Sequence, residues 1–199
     1  MSLWRPTFVP SNLPLGGAEA FAGVEVQSIA RGFVVNDALV KKAKARIMLA
    51  TAITPGKFLI LFDGSVADCE ESLSEATLVA GSELIDSFFL PYAHDAIEPA
   101  VFGVYKPRGE GALGIVETAT ACSGIYSCDA ALKAAPVVLA LLHLSAGIGG
   151  KCFYVLCGEL YDIEASVEAA KDRLSSTSRL VGTEIIPRPH EEFLKGLGL

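Results

Sequence analysis

The chain has 199 residues, of which 51% are hydrophobic and 20% are charged, and its formal net charge is −7. This charge argues against a general nucleic-acid binder, because such affinity rests largely on lysine and arginine side chains that neutralise phosphates. The sequence shows neither the ~18 consecutive apolar residues of a membrane span nor the apolar segment of a secretory signal. We therefore expect a soluble cytoplasmic protein.

The first half of the chain predicts strands and helices in alternation. In chain order we expect a β-rich segment at 24–30, a helix through 36–44, strands at 46–53 and 57–62, a helix at 65–80, a strand at 84–90 and a short helix from His94. Pro55 and Gly56 predict the turn between the middle strands. Ser65 is a plausible N-cap of the second helix, and Gly81 predicts its end.

The second half predicts the same order of elements. We expect a strand at 113–120, a helix at 122–134, strands at 137–145 and 152–156, a helix at 161–174, a strand at 181–186 and a tail helix at 190–195. A glycine-rich turn again separates the two middle strands.

Short strings also recur in the same order, with an offset that grows slightly at each loop, which indicates a gene duplication with small insertions. The recurring strings are Val24-Glu25 and Val116-Glu117, Asp37 to Lys41 and Asp129 to Lys133, Pro55 to Lys57 and Gly149 to Lys151, and Leu90 to His94 and Ile186 to His190.

The order β-α-β-β-α-β is that of the ferredoxin-like fold, in which four antiparallel strands carry two helices on one face. We therefore predict an α/β (α+β) chain of two tandem, unpermuted ferredoxin-like domains at 21–102 and 111–199. An N-terminal tail at 1–20 precedes them, and a linker at 103–110 joins them. The open face of each sheet then needs a cover, such as a tail helix or a neighbouring subunit.

Two strings in the second copy resemble a known family: the helix string Asp129 to Ala135 and the segment from Gly150 to His190, which ends in Ile-Pro-Arg-Pro-His. They resemble the shell-protein domain of bacterial microcompartments. Two copies in one chain resemble the tandem-domain class, whose members form trimers that mimic hexamers. Within that class the chain is most similar to the propanediol-utilisation type that carries an iron–sulfur cluster at its central pore.

The resemblance implies roles for particular loops and edges. The loops between the second and third strands of each copy line the pore, and their residues are Thr54, Pro55, Gly56, Ile148, Gly149 and Gly150. Tile-edge contacts fall at Lys41, Lys133, Arg188, Tyr92, His94 and His190. The implied partners are copies of itself, as a trimer or as stacked trimers, other shell proteins, and small metabolites that cross the pore. The implied location is the microcompartment shell, and the role is structural rather than enzymatic.

Two departures from the family pattern stand out. Tyr92 replaces the arginine that the second copy has at Arg188, so the two kinds of edge need not dock alike. The cluster-binding type has a cysteine just before the Pro-Gly of its first pore loop, where this chain has Thr54. A hydroxyl does not replace a thiolate in iron–sulfur ligation, so we expect no cofactor and no metal.

The remaining polar and sulfur-containing residues favour structural roles. The five cysteines lack zinc-site spacing and are interpreted as small buried hydrophobic residues. Glu25 and Glu117 recur in the first strand of each copy, which favours a hydrogen-bonded glutamate at a subunit contact over a catalytic pair. His94 and His190 share a repeat position and favour helix capping.

Two other functions fit the pattern less well. Duplicated ferredoxin-like domains also occur in regulatory proteins of the nitrogen-regulatory type, which bind small molecules in clefts between subunits. A redox shell module with an iron–sulfur cluster is the second alternative. The glycine-rich segment from Gly147 to Lys151 lacks the spacing of a nucleotide-binding P-loop.

Overall fold

The computed structural model describes residues 17–103 and 110–197. Most of the predicted tail at 1–20 and of the linker at 103–110 lies outside these residues. The described chain forms two compact units. The first contains the chain up to Ala93 together with Thr120–Cys122 and Ser145–Gly150, and the second contains the remainder from His94.

The first half of the chain contains four strands, two long helices and a short one. They are β1 (Ala20–Val26), α1 (Ile29–Lys42), β2 (Arg46–Ile53), β3 (Lys57–Gly64), α2 (Val66–Ala80), β4 (Leu84–Pro91) and α3 (Ile97–Val101), with a 3₁₀ turn at Gly81–Glu83 before β4.

The second half follows the same order. Its elements are β5 (Ala112–Thr118), α4 (Ala121–Ala134), β6 (Val138–Leu144), β7 (Cys152–Gly158), α5 (Leu160–Leu174), β8 (Leu180–Ile186) and α6 (Glu191–Leu197). None of the described helices has the length and apolar character that crossing a membrane requires.

Each half forms a four-stranded sheet, with the strand orders β2-β3-β1-β4 and β6-β7-β5-β8. Every pair of neighbouring strands is antiparallel. This order and these directions are those of the ferredoxin-like β-α-β-β-α-β motif. The predicted fold class, two unpermuted copies of this motif in tandem, is confirmed.

The core of the first unit follows the period-two alternation of strand side chains. Even-numbered residues of β1 and β3 pack with buried residues of α1 and α2, so both helices lie on one face of the sheet. The members of this cluster include Ala20, Ala22, Val24, Val26, Phe58, Ile60, Phe62, Val35, Leu39, Cys69 and Ala76.

A glycine at the same repeat position lets the first helix of each copy approach its sheet closely. A Cβ added at Gly32 would lie 2.4 Å from Cγ of Phe58, and one added at Gly124 would lie 2.2 Å from Sγ of Cys152. Because any larger side chain would push helix and strand apart, both positions require glycine.

The start of the first copy differs from the sequence-based expectation. The β-rich segment predicted at 24–30 is wrong at both ends, since β1 runs from Ala20 to Val26 and α1 already begins at Ile29. Ser28 has extended dihedral angles, and its hydroxyl accepts the Arg31 N–H, which makes it the N-cap. The chain therefore turns from strand to helix within two residues of Val26.

Helix ends elsewhere agree with the capping signals. The Ser65 hydroxyl accepts the Asp68 N–H at the start of α2, and Gly81 ends that helix with a φ of 56°. The short helix expected to start at His94 instead begins at Ile97. The Ile97 side chain is fully buried, and α3 contacts β6 in the second unit.

Candidate pore loops and assembly surfaces

Two loops to which the family resemblance implies a pore role meet in the first unit. The backbone N–H of Gly147 donates a hydrogen bond of 3.2 Å to Oγ1 of Thr54. A Cβ added at Gly150 would lie 2.8 Å from the carbonyl oxygen of Thr54 and 3.1 Å from Cδ of Pro55. The two loops therefore touch through backbone and small side-chain atoms, and bulky side chains are excluded from the contact.

The second of these loops depends on glycine for its backbone conformation. Gly147, Gly149 and Gly150 all have positive φ, a region that residues with a Cβ rarely adopt. Ser145, which also has a positive φ, closes the loop by donating its hydroxyl proton to the carbonyl of Gly150. The exposed part of the loop offers backbone groups rather than side chains.

The residues around Thr54 do not fit an iron–sulfur cluster. The Thr54 hydroxyl is engaged by Gly147, and all five cysteines are buried free thiols, as predicted. Sγ of Cys152 lies against Gly124 of α4. Within 17–103 and 110–197, no group of three or more His, Cys, Asp or Glu residues is arranged to hold a metal.

The Glu25 carboxylate is fully buried and is held by two donors in the first unit. Its Oε1 pairs with Nζ of Lys57 at 2.8 Å, and its Oε2 accepts the backbone N–H of Ala121 at 2.9 Å. Burial raises the pKa of Glu25 above its ordinary value of 4.5, although the Lys57 ammonium opposes this shift. The carboxylate thus binds both the Lys57 ammonium and the backbone at Ala121.

The repeat-equivalent pair in the second unit is open to solvent. Nζ of Lys151 lies 2.7 Å from Oε1 of Glu117, and the two side chains are 47% and 39% exposed. Lysines at these two repeat positions, Lys57 and Lys151, were missed as glutamate partners. The signal was present in the sequence, because each lysine directly follows a loop glycine and each glutamate lies on the adjacent strand.

The helices α1 and α4 are equivalent in the repeat but differ in exposure. Phe33 of α1 is 53% exposed, while Ile125 at the same position of α4 is fully buried. Val40 is 42% exposed, and its equivalent Leu132 is 5% exposed. An apolar helix face that is covered in one copy is therefore open in the other.

Comparisons with known proteins identify the family of the chain. The model of the BMC domain family matches residues 20–93 and 112–189. The chain belongs to this family of bacterial microcompartment domains. It is 36% identical over 176 residues to the bacterial microcompartment shell protein PduT of Citrobacter freundii, a match that covers 88% of this chain and 96% of that protein.

Two solved structures resemble this BMC chain. A microcompartment protein from Desulfitobacterium hafniense DCB superposes with a TM-score of 0.78 at 34% identity, over 90% of this chain and 99% of that one. A fused permuted hexameric shell protein from the RMM microcompartment superposes with a TM-score of 0.63 at 19% identity, over 85% and 87% of the two chains, and shows a shared fold. The expected resemblance to tandem shell proteins is confirmed.

The lysines predicted for the tile edge lie near the ends of α1 and α4. Each forms an i,i+4 ion pair with an aspartate, Lys41 with Asp37 and Lys133 with Asp129. The aspartates differ, because the Asp37 side chain is 61% exposed and the Asp129 side chain is 1% exposed. Asp129 also accepts the backbone N–H of His94 at 2.7 Å in the second unit.

The histidines at the shared repeat position act in local turns. Nδ1 of His190 accepts the Glu192 N–H at the start of α6, and Nδ1 of His94 accepts the Ala96 N–H just before α3. The capping interpretation is thus confirmed for His190, while His94 supports a turn that precedes its helix.

Arg188 and Tyr92, which the family resemblance predicts at the tile edge, are both exposed. Arg188 lies between two prolines, which restrict the backbone on either side. Tyr92 has a positive φ of 52°, and its backbone N–H bonds to the carbonyl of Glu19. The two side chains therefore project from differently constrained backbones.

Proposed function

We propose that this protein is a structural tile of a bacterial microcompartment shell, a homotrimer in which six BMC domains form a pseudohexamer around a central pore. The observation that carries the proposal is the presence of two BMC domains in one chain, with an apolar helix face that is buried in the second copy and exposed in the first. Exposed apolar patches on soluble domains commonly mark interaction sites.

Two open surfaces of the chain support a ring. The exposed face of α1 lies in the first copy, and the exposed Glu117–Lys151 pair lies in the second. Since these surfaces differ, one copy of the chain binds the next head to tail, and such heterologous contacts close into rings when the rotation allows. With two domains per chain, three chains complete a pseudohexamer.

The pore is lined by the two loops described above. Thr54, Pro55 and Gly56 from the first copy and Ile148, Gly149 and Gly150 from the second each occur three times around the axis. Threefold repetition turns these loops into rings of backbone donors and acceptors, which favour small polar metabolites. The proposed function needs neither catalysis nor a bound cofactor.

Docking between tiles uses the outer edge of the trimer. Lys41 and Lys133 contribute long side chains whose apolar stems can lie along a neighbour while the ammonium groups bind carbonyls. The guanidinium group of Arg188 adds several N–H donors in one plane, which suit carbonyl and carboxylate groups of other shell proteins. In this proposal, such contacts join the trimer to other tiles of the shell.

Negative-stain electron microscopy of the concentrated protein tests this function. We expect extended sheets of wild-type trimers, and trimers without sheets for the double variant Lys41→Ala, Arg188→Ala. The matched control is Lys171→Ala, which removes a lysine from the exposed side of α5 and should leave the sheets intact. If the double variant forms sheets as well as the wild type does, the assignment of Lys41 and Arg188 to the tile edge is wrong. If wild-type particles are no larger than one chain, the proposed tile is wrong.

A further inference from the structure

Two polar contacts in the chain each join a buried carboxylate to a backbone N–H. In the first contact Glu25 accepts the N–H of Ala121, the first residue of α4. In the second contact Asp129 accepts the N–H of His94. Both acceptor side chains are at most 1% exposed.

The residues at the repeat-equivalent positions are exposed instead. Glu117 corresponds to Glu25 and is 39% exposed, and Asp37 corresponds to Asp129 and is 61% exposed. The corresponding donors are the backbone N–H of Ile29, the first residue of α1, and that of His190. The first N–H groups of a helix have no acceptor within that helix, so Ile29 presents an open donor.

We infer that the seam between neighbouring copies of this chain is closed by two hydrogen bonds, from the Ile29 N–H of one copy to the Glu117 carboxylate of the next, and from the His190 N–H of the second to the Asp37 carboxylate of the first. This inference rests on the proposed ring and deepens it, because it names the residues that hold the ring together. His190 then lies within the tile rather than at its outer edge.

Charge and apolar contacts favour a second copy of the chain as the partner. A carboxylate at the first turn of α1 is favoured by the helix dipole, and Glu117 supplies one. Phe33 and Val40 flank the exposed acceptor Asp37 on the same helix. In α4 the equivalents of these two residues, Ile125 and Leu132, are buried around Asp129. The partner surface therefore has to provide both apolar cover and a backbone donor.

The seam also explains why the two lysine–glutamate pairs differ in exposure. Lys57 is 14% exposed beside Glu25, whereas Lys151 is 47% exposed beside Glu117. A neighbouring α1 placed over Glu117 would cover Lys151 in the way that Lys57 is covered. The exposed Glu117–Lys151 pair thus lacks the cover that the Glu25–Lys57 pair has, and the neighbouring chain supplies that cover.

The test is the concentration at which the assembled protein dissociates, measured by mass photometry and sedimentation velocity for Glu117→Ala and Asp37→Ala. A hydrogen bond to a charged group contributes enough that each variant should weaken each seam roughly tenfold or more. Glu164→Ala, which removes an exposed glutamate from α5, is the matched control and should stay within about twofold of wild type by the same reasoning.

Hydrogen exchange provides a residue-level readout of the same contacts. Amides of Ile29 and His190 should exchange slowly in the assembled wild type, and each should exchange fast in the variant that lacks its acceptor. If the wild type is a trimer and both Glu117→Ala and Asp37→Ala behave like Glu164→Ala, the proposed seam is wrong. The proposed tile would not be affected by that result. If only one of the two variants behaves like the control, the hydrogen bond proposed for its carboxylate is wrong. A monomeric wild type would overturn the proposed function itself.

Discussion

The Glu25 carboxylate accepts the backbone N–H of Ala121, 96 positions further along the chain, over 2.9 Å. Its other oxygen binds Lys57, so one buried side chain joins a strand, a loop-flanking lysine and the start of a helix. Desolvation of such a carboxylate is costly, which is why its pKa is raised despite the two donors.

The raised pKa of Glu25 predicts a particular pH dependence of stability. The folded chain holds the Glu25 proton at a higher pH than the unfolded chain, whose pKa is 4.5. Stability contributed at this position therefore falls as the pH rises from 4.5 through the folded-state pKa. Lys57, Asp86 and the Ala121 N–H are the groups that face it.

Glu25→Gln isolates this effect. The difference in unfolding free energy between wild type and Glu25→Gln should decrease as the pH rises through that window and then level off. Urea unfolding at several pH values and one fixed protein concentration measures it, since assembly is linked to stability. A difference that grows with pH would mean that folding lowers the pKa of Glu25.

The close approach of α4 to β7 predicts a destabilised Gly124→Ala variant. The added methyl group would meet Sγ of Cys152 at 2.2 Å and its Cβ at 2.7 Å. Overpacking of this kind costs about 1–3 kcal/mol, partly offset by the helix propensity of alanine. The control is Gly182→Ala, where a Cβ would meet nothing within 4 Å. Equal thermal stability of the two variants would contradict the packing of α4.

The cysteines are predicted to be unreactive in the folded protein. Burial raises the pKa of Cys69 to about 12 and also raises those of Cys128 and Cys157, so the nucleophilic thiolate is scarce at pH 8. A thiol-specific chromogenic reagent should label none of the five quickly in native buffer and all five in denaturant. Fast native labelling would show that a thiol is accessible and ionised.

The loop that contains Thr54 predicts that no iron–sulfur cluster forms. Thr54 presents a hydroxyl that already accepts the Gly147 N–H, and clusters are held by cysteine thiolates. Anaerobic incubation with iron and sulfide, followed by desalting, should give a colourless protein without bound iron. Stable visible absorbance with stoichiometric iron would support the redox alternative instead.

Much of the fold can be predicted from the sequence because its local signals are duplicated. Ser65 and Gly81 mark the ends of α2 where the structure has them, and the Gly-Lys strings after both loops locate β3 and β7. The sequence predicts too late a start for α1, because Ser28, a good N-cap, is followed by Ile29 and Ala30, which extend the apolar pattern of the strand before it.

The assembly surfaces could be predicted only in part. The helices α1 and α4 carry similar apolar patterns, so the exposure of Phe33 and the burial of Ile125 cannot be read from either helix alone. That difference arises from tertiary packing. The contact between Gly147 and Thr54 likewise joins distant segments, and no local pattern encodes it. The predicted pore and edge residues therefore remain proposals about the assembled protein.

The native mass of the purified 199-residue chain tests the central claim most directly. Size-exclusion chromatography with light scattering should give a particle of three times the 20.9 kDa chain mass, stable on dilution. A single particle of one chain mass at every concentration would contradict the account, because the exposed face of α1 and the open Glu117 would then have no partner of the proposed kind.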